Sequence, residues 1–341
     1  MNKVIHLIPY DGIGGVESAA NTMKNYEIKN VDFNILYIFN NRSNKFLNFL
    51  NYFEKSFRLI RANPDLLIVS LWRSCVVGII FKIFKPKTKL VLFLHYPHDY
   101  HFADMIFTKL MSKMCTSIWA DSNDTLNTRL PNFPEHRSDV ISFVARKLQP
   151  QTRHQSQPNF IFWGRLHEQK SIHIALNIFA EIKKQYSEAS YNIVGPDGGE
   201  MARLKNLSKK LNIEKNVNFL GPKDFDSIKN LSKRASFYLQ TSKLEGMAMS
   251  VVEAMQLGLV PIVTPVGEIK NYCRDGVNAI LIHDEDSAVK SILNLLDNKN
   301  TFEKIRQNTI SYWDDSEIYP ESIERASLSI LNTENAKNIN T

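Results

Sequence analysis

The sequence predicts an α/β protein built from two doubly wound halves, each a parallel sheet covered by helices. Short apolar segments rich in β-branched residues alternate with longer segments of helical periodicity along most of the 341 residues. A polar, proline-flanked break at Gln149–Pro158 separates two such series, which indicates a linker between two domains. A chain of this length can bury two cores of ordinary size.

The composition is typical of a globular protein, with 43% hydrophobic and 23% charged residues. The cysteines are few and widely spaced, which argues against a disulfide framework or a zinc cluster and favours a reducing compartment. The N-terminal segment lacks the long apolar core of a secretory signal. The apolar region Leu66–Phe84 is interrupted by two cations, so it predicts a strand and then a buried helix rather than a membrane span.

The first half opens with a strand at Lys3–Ile8, a glycine-rich turn and a helix from about Ser18. A glycine turn between a strand and a helix is typical of phosphate binding. A dinucleotide site is disfavoured, because the glycines lack the G-x-G-x-x-G spacing and the next strand ends in Asn40 rather than an acidic residue. A strand at Lys89–Leu94 then ends at His95. The histidines that follow complete no metal-binding spacing.

The second half begins with a strand at Asn159–Trp163, a turn that carries Arg165 and Lys170, and an amphipathic helix to about Tyr186. A guanidinium and an ammonium beside a helix start suit a diphosphate, although two solvated loop cations are an alternative. The later acidic run Asp284–Asp286 is explained as well by a helix N-cap as by a metal site.

The segment from Phe237 to Thr264 predicts a βαβ unit: a strand, a loop, a helix at Met247–Leu257 and a second strand. Free backbone N–H groups at the helix start favour an anionic or hydroxyl-rich ligand. Glu245 in the loop and Glu253 on the helix could each accept hydrogen bonds from the vicinal hydroxyls of a nucleotide sugar. Alternatively, Glu245 only occupies a helix start and Glu253 lies on a solvated helix face.

Three motifs carry a family resemblance. The segment EGMAMSVVEAMQLGLVPIVT, residues 245–264, closely resembles the E-x7-E segment of the retaining GT-B glycosyltransferases of family 4. The turn GRLHEQKS is similar to the family's G-R-L-x-x-x-K-[GS], with Ser171 where glycine is usual. GGVE at 14–17 resembles the glycine turn that approaches the donor diphosphate. The resemblance covers residues 160–283 well and residues 1–150 loosely.

The resemblance implies two Rossmann-like domains that face each other across a cleft. Residues 1–148 would bind the acceptor and residues 159–315 the nucleotide sugar, with residues 149–158 as the linker. Residues 316–335 would form a helical segment that packs back towards the N-terminal domain.

The resemblance also assigns roles to residues. Glu245 would contact the donor sugar, Glu253 would hold the ribose, and His95 would hydrogen-bond a sugar. The catalytic set is Glu245, His95, Arg165 and Lys170. The donor-binding set is Gly14, Gly15, Arg165, Lys170, Gly246, Met247, Ala248 and Glu253. No metal or other cofactor is expected, because the positive groups would hold the diphosphate.

The expected activity is retaining transfer of a sugar from a nucleotide-diphosphate sugar, UDP favoured over GDP, to a hydroxyl of a glycan acceptor. That acceptor would be lipid-linked, in the synthesis of a bacterial surface polysaccharide such as O-antigen or capsule. One alternative is a GT-B nucleotide-sugar 2-epimerase. Another is a catalytically silent subunit that binds a membrane partner, which the intact set of site residues disfavours.

The charge is unevenly distributed. The net charge is +7, and all of it falls in residues 1–150, concentrated in Arg42–Lys89 with aromatic residues between the cations. Such a segment favours an anionic membrane surface or nucleic acid, although a solvated helix face is the alternative. With the family resemblance, we expect a peripheral protein on the cytoplasmic face of the membrane and no nucleic acid partner.

Overall fold

The computed structural model describes residues 1–11, 15–26, 28, 31–39, 47–99, 101–150 and 156–332. The chain forms two compact units. The first contains Met1–Arg146 together with the chain from Glu317, and the second contains Lys147–Ser316. Each unit is built on a six-stranded parallel sheet. Part of the expected linker, residues 151–155, lies outside the described residues.

The first unit alternates strands and helices from its N-terminus. Its strands are β1 (Asn2–Tyr10), β2 (Val31–Phe39), β3 (Leu66–Ser70), β4 (Lys89–Leu94), β5 (Ser117–Ala120) and β6 (Ser138–Val140). The helices between them are α1 (Gly15–Thr22), α2 (Leu47–Ala62), α3 (Leu71–Phe84), α4 (Phe102–Met114) and α5 (Asn123–Arg129).

The strand order of the first sheet is β2-β1-β3-β4-β5-β6. The chain reverses direction across the sheet between β1 and β3, and ligands bind at such a switch point beyond the carboxyl ends of the strands. Right-handed crossovers place α2, α3 and α4 on one face of the sheet. Their buried residues Leu59, Phe81 and Met111 share a core with the strands, so these three helices form one layer.

The second unit repeats this plan. Its strands are β7 (Asn159–Trp163), β8 (Ser190–Val194), β9 (Val217–Gly221), β10 (Phe237–Gln240), β11 (Val260–Val263) and β12 (Ile280–Leu281). Its helices are α6 (Ile172–Gln185), α7 (Met201–Lys210), α8 (Phe225–Ser232), α9 (Met249–Gln256), α10 (Ile269–Tyr272), α11 (Glu285–Asp297) and α12 (Lys299–Ser311).

The second sheet has the order β12-β11-β10-β7-β8-β9, so its switch point lies between β7 and β10. The rings of Phe160 and Phe237 stack across these two strands with centroids 5.1 Å apart. The turn after β7 and the loop after β10 therefore leave the sheet side by side. These are the two segments in which the sequence places Arg165, Lys170 and Glu245.

A last helix, α13 (Tyr319–Asn332), belongs to the first unit. The Tyr319 N–H donates to the Val144 carbonyl at 2.7 Å, and its ring packs on Phe143. A proline usually interrupts a helical pattern, but Pro320 does not interrupt this helix. Pro320 lies in the first turn of α13, where a missing N–H removes no intrahelical hydrogen bond.

Most predicted strands are confirmed within two residues. The strands Lys89–Leu94, Asn159–Trp163 and Phe237–Gln240 have the bounds that the sequence predicts. Helix starts are less accurate. The first helix begins at Gly15 rather than near Ser18, and the helix expected from Met247 begins at Met249. The first of these helices follows a glycine-containing turn, and the second follows the strained residue Ala248.

The basic stretch Arg42–Lys89 is not one continuous solvent face. Lys55 is buried and pairs with Glu54 at 3.0 Å. The Lys82 ammonium donates to the carbonyl of Thr88 at 2.6 Å, and Lys89 reaches the end of α13. The cations that stay exposed are Arg58, Arg61 and Lys87. Arg42 and Lys45 lie outside the described residues. Among the described helices, none is long and apolar enough to cross a bilayer.

Candidate active site

Two loops meet at the switch point of the second sheet. The first is the turn Gly164–Ser171 after β7, and the second is the loop Thr241–Ala248 after β10. The backbone N–H of Lys243 donates to the Gln169 carbonyl at 2.8 Å, and the Gln169 amide donates to the Leu244 carbonyl at 2.7 Å. These bonds hold the two loops against each other.

A buried ion pair joins the loops. The Lys170 ammonium lies 2.5 Å from Glu245 Oε1, and the two side chains are only 19% and 8% exposed. The side-chain amide of Gln240 donates to the same oxygen at 3.0 Å. Among the described residues nothing donates to the second oxygen, Oε2, so this side of the carboxylate is available to a hydroxyl.

A network behind the ion pair fixes the Gln240 amide. The hydroxyls of Tyr238 and Ser250 lie 2.7 and 3.1 Å from Gln240 Oε1, so the amide nitrogen must face Glu245. Burial raises the pKa of Tyr238 far above its ordinary value, which keeps the phenol protonated as a donor. Gln240 belongs to none of the motifs in the sequence. The available signal was an amide at the end of a fully buried strand.

A glycine sets how close the Glu245 loop comes to the turn after β11. Gly267 has φ +57°, and a Cβ there would lie 2.1 Å from the Glu245 carbonyl oxygen. The N–H of Glu268 donates to the Gly246 carbonyl at 3.1 Å across the same contact. Only glycine combines this conformation with this approach.

The start of α9 offers free donors. The N-cap residue Ala248 has left-handed dihedrals, φ 54° and ψ 63°, which is strained for a residue with a Cβ. Within the described part of the chain, the N–H groups of Gly246, Met247 and Ala248 donate to no other group. Unpaired N–H groups at a helix start favour an anion.

Glu253 lies on the second turn of α9. Its Oε2 accepts a hydrogen bond from the indole N–H of Trp163, the last residue of β7, at 3.0 Å. This bond orients a half-buried carboxylate at the carboxyl edge of the sheet. Arg165 follows Trp163 by two residues. It is exposed and forms no ion pair with a described residue.

The acidic run Asp284–Asp286 serves as a helix cap. The Asp284 carboxylate accepts from the Ser287 N–H at 2.8 Å and lies 2.6 Å from the Ser287 hydroxyl. These bonds to Ser287 lower the pKa of Asp284. Asp284 is therefore the N-cap of α11, as the capping interpretation predicts.

His95 lies in the first unit, directly after β4, and takes part in a hydrogen-bonded chain. The Ser70 hydroxyl lies 2.8 Å from His95 Nε2 and 2.7 Å from Nε2 of the buried His6. Because one hydroxyl can donate to only one of these nitrogens, the other ring must donate to Ser70. At least one of the two imidazoles is therefore the Nε2–H tautomer.

His6 and His95, the two histidines bonded to Ser70, are both neutral. Burial lowers the pKa of His6 to about 3. Burial, followed by the proximity of His6 and Arg129, lowers the pKa of His95 well below its ordinary value. A neutral His95 is suited to hydrogen bonding with a hydroxyl rather than to an ion pair. Of the expected glycine pair, Gly14 lies outside the described residues, and Gly15 is the first residue of α1.

Comparison with known proteins identifies the family. Residues 144–312, which contain every motif of the second unit, match the family Glycosyl transferases group 1. The chain belongs to this family. As a group 1 glycosyltransferase it transfers a sugar from a nucleotide sugar, which agrees with the expected enzyme class.

Relatives support this assignment over a larger part of the chain. The chain is 21% identical over 278 residues to an uncharacterized glycosyltransferase of Methanocaldococcus jannaschii, a match that covers 74% of this chain and 71% of the relative.

Two solved structures share the fold. Anabaena HepE, in complex with UDP and glucose, aligns with a TM-score of 0.78 at 18% identity, over 98% of this chain and 100% of that one. The lipopolysaccharide outer core galactosyltransferase WaaB aligns with a TM-score of 0.72 at 18% identity, over 96% and 99% of the two chains. The GT-B fold is thereby confirmed.

Proposed function

We propose that this glycosyltransferase moves a hexose, with retention, from a UDP-sugar to a hydroxyl of a lipid-linked glycan. The observation that carries the proposal is the buried Lys170–Glu245 pair, held by Gln240 at the sheet's switch point. A cation and a carboxylate placed together there can bind two parts of one ligand, the diphosphate and the sugar.

Glu245 binds the donor sugar in this proposal. Its Oε1 is occupied by Lys170 and Gln240, so its Oε2 accepts from a sugar hydroxyl. Lys170 shares its charge between Glu245 and the diphosphate. As the glycosidic bond breaks, negative charge builds on the leaving diphosphate, and a fixed cation in a partly desolvated site stabilises that charge strongly.

Arg165 and the N–H groups of Gly246, Met247 and Ala248 supply the other positive groups for the diphosphate. Gly14 and Gly15 of the first unit are proposed as donor-binding residues from the family motif. The guanidinium is exposed and without an ion-pair partner in the described chain, so it can reorient to form two bonds to one phosphate. These positive groups stand in for a divalent cation, so we propose a metal-independent reaction.

Glu253 holds the ribose in this proposal. The Trp163 indole fixes one carboxylate oxygen, which orients the carboxylate towards the two vicinal hydroxyls of the nucleoside. The donor base is proposed as uracil because HepE binds UDP and glucose. WaaB acts on the lipopolysaccharide outer core, which supports a lipid-linked glycan acceptor in surface polysaccharide synthesis. In the first unit, neutral His95 hydrogen-bonds a sugar.

A membrane surface is proposed on the helical layer of the first unit. On α2, exposed Leu50, Phe53 and Phe57 recur at helical spacing and are followed by exposed Arg58 and Arg61. The adjacent end of α3 exposes Ile83 and Phe84. Apolar residues beside cations favour an anionic bilayer, so we propose a peripheral protein on the cytoplasmic membrane face.

A nucleotide-sugar panel tests the donor assignment. UDP-glucose, UDP-galactose, UDP-N-acetylglucosamine and GDP-mannose are each added to the full chain, and the unfolding temperature is measured. One UDP-sugar should raise it, because a ligand that binds only the native state stabilises by mass action. Lys170→Met should abolish the rise, whereas Lys243→Met, which removes the exposed partner of Glu168 in the same loops, should keep it. Protection by GDP-mannose alone would refute the UDP assignment.

A further inference from the structure

The first unit contains a groove lined by residues that the proposed donor site does not use. It holds about 420 Å³ along one side of α4, opposite the segment that follows α5. Its lining includes Met105, Lys109, Lys113, Arg129 and Phe133, together with Asp99. Three cations and one carboxylate around one groove favour an anionic ligand.

Arg129 is the buried part of this groove, with a side chain only 7% exposed. Its Nη2 lies 2.7 Å from Asp104 Oδ1 and 2.9 Å from Asp99 Oδ1, and its Nη1 donates to the Tyr96 carbonyl at 3.3 Å. Its buried Nε has no hydrogen-bond partner among the residues the structure describes. A buried guanidinium N–H without a partner is uncommon, and it leaves one donor for a ligand.

Two lysines stand at the rim of the groove. Lys109 and Lys113 lie one turn apart on α4, and both are exposed. Neither forms an ion pair with any residue in the described ranges. Asp104 balances Arg129 inside, so the rim retains a positive excess over Asp99. Three donor groups match the three oxygens of a terminal phosphate better than the two free oxygens of a phosphodiester.

The helix that bears these lysines exposes several apolar side chains as well. Its exposed face carries Phe102, Met105, Ile106 and Leu110 at helical spacing. Its inward face buries Asp104 and Thr108 beside Met111. Met105 belongs both to the exposed apolar face and to the groove lining. An anion site that opens onto an apolar surface fits an amphipathic molecule.

We propose that the α4 groove binds the terminal phosphate of a membrane lipid, with the acyl chains lying against the apolar face of α4. Arg129 Nε, Lys109 and Lys113 contact the phosphate. This proposal rests on the membrane surface proposed above. It adds recognition of one lipid headgroup to a surface that would otherwise attract any anionic lipid.

Vesicle binding tests the groove. Full-length protein is titrated with phosphatidylcholine vesicles that contain either phosphatidate, which has a terminal phosphate, or phosphatidylglycerol, at matched surface charge. The unmodified protein should bind phosphatidate vesicles at least about tenfold more tightly, the scale of one added charge-assisted contact. Lys109→Glu with Lys113→Glu should bring that ratio close to one.

Two charge-matched controls separate the groove from general attraction. Arg58→Glu with Arg61→Glu, on α2, should weaken binding to both vesicles while keeping the ratio. Lys209→Glu with Lys210→Glu, exposed on α7, should change neither. A ratio near one in the unmodified protein, or one insensitive to the α4 pair, would refute the groove and leave the membrane surface standing.

Failure of all vesicle binding would refute both the membrane surface and the lipid assignment. In that case, a calorimetric titration with glycerol 3-phosphate measures whether the groove binds a soluble phosphate ester. Saturable binding that is lost in the α4 pair, without vesicle binding, would contradict the lipid proposal and assign the groove to a soluble phosphate ester.

Discussion

Two ion pairs in the second unit differ in burial, and only the less exposed one belongs to the proposed site. Lys170–Glu245 and Lys243–Glu168 join the same two loops, yet the first pair is buried and the second is more than half exposed on both sides. An exposed pair contributes about 0–1 kcal/mol because water screens it. A buried pair keeps its field, which is the property that a leaving diphosphate requires.

Glu245→Gln and Arg165→Ala should each lower turnover about a hundredfold while the fold stays intact, since each removes a contact that strengthens in the transition state. Steady-state rates with the donor found in the panel provide the measurement. Glu168→Gln is the matched control, because it removes a carboxylate from the same loops at an exposed position. Near-normal rates in either site variant, with an unchanged unfolding temperature, would remove that residue from the active site.

The buried histidines predict a pH dependence of stability. His6 has a folded-state pKa of about 3 against an ordinary 6.5. Below pH 6.5 the unfolded chain binds a proton that the folded chain does not, so the free energy of unfolding falls as the pH drops. Well below that pH, each such imidazole contributes a slope of about 1.4 kcal/mol per pH unit.

Urea unfolding at pH 7.5, 6.5 and 5.5 measures this slope. His6→Gln should make the slope shallower, because only one of the two neutral imidazoles bonded to Ser70, that of His95, then remains. A slope that His6→Gln does not change would show that His6 is not the group responsible.

At the scale of elements, the C-terminal helix α13 is held at its end by a lysine from the sheet. The Lys89 ammonium donates to the carbonyls of Ile330 and Leu331 at 2.9 and 3.1 Å. These carbonyls belong to the last turn of the helix, where intrahelical donors are missing and a cation is favoured.

Lys89→Ala should therefore lower the free energy of unfolding by about 1 kcal/mol. Lys87→Ala, two residues away and exposed, should leave it within about 0.5 kcal/mol. Denaturant midpoints compared at equal slopes give the two values. Equal losses in both variants would mean that the contact with α13 contributes nothing specific.

The elements also show which parts of the structure are predictable from the sequence. The bounds of buried strands such as Lys89–Leu94 were predicted correctly, because the apolar run of each strand has a clear end in the sequence. The start of α9 was predicted two residues early because Ala248 adopts a left-handed conformation, which no propensity assigns to alanine. Ser171 likewise has φ 45°, at the position where the resembled family usually has glycine.

The candidate site was predictable only in part. The motifs locate Glu245 and Lys170 in two loops, and the switch point of a parallel sheet explains why those loops are neighbours. Their direct pairing depends on a side-chain contact between residues 75 positions apart in the chain. Gln240 contacts Glu245 from only five residues away, but this contact depends on the conformations of both side chains, which the motifs do not encode. Lys89 differs from the exposed cations because of a contact with Ile330, 241 residues away, whereas Lys82 donates to Thr88 only six residues along the chain.

At the scale of the whole molecule, each unit carries its proposed site residues beyond the carboxyl ends of parallel strands. If cationic side chains and backbone N–H groups hold the diphosphate as proposed, a chelator should not inhibit the enzyme. Turnover in excess EDTA should stay within about twofold of the untreated rate, since no transition-state contact is lost. Loss of activity that Mg²⁺ or Mn²⁺ restores would return attention to Asp284 and Asp286.

The most direct test of the account follows the anomeric proton during turnover. The nucleotide sugar that best protects the chain is supplied without an acceptor, so that water slowly takes the sugar, and the product is observed by NMR before mutarotation. The account predicts that an α-linked donor first releases the α-anomer, and that Glu245→Gln suppresses this release. First release of the β-anomer would contradict retention, and release of the 2-epimer would identify an epimerase instead.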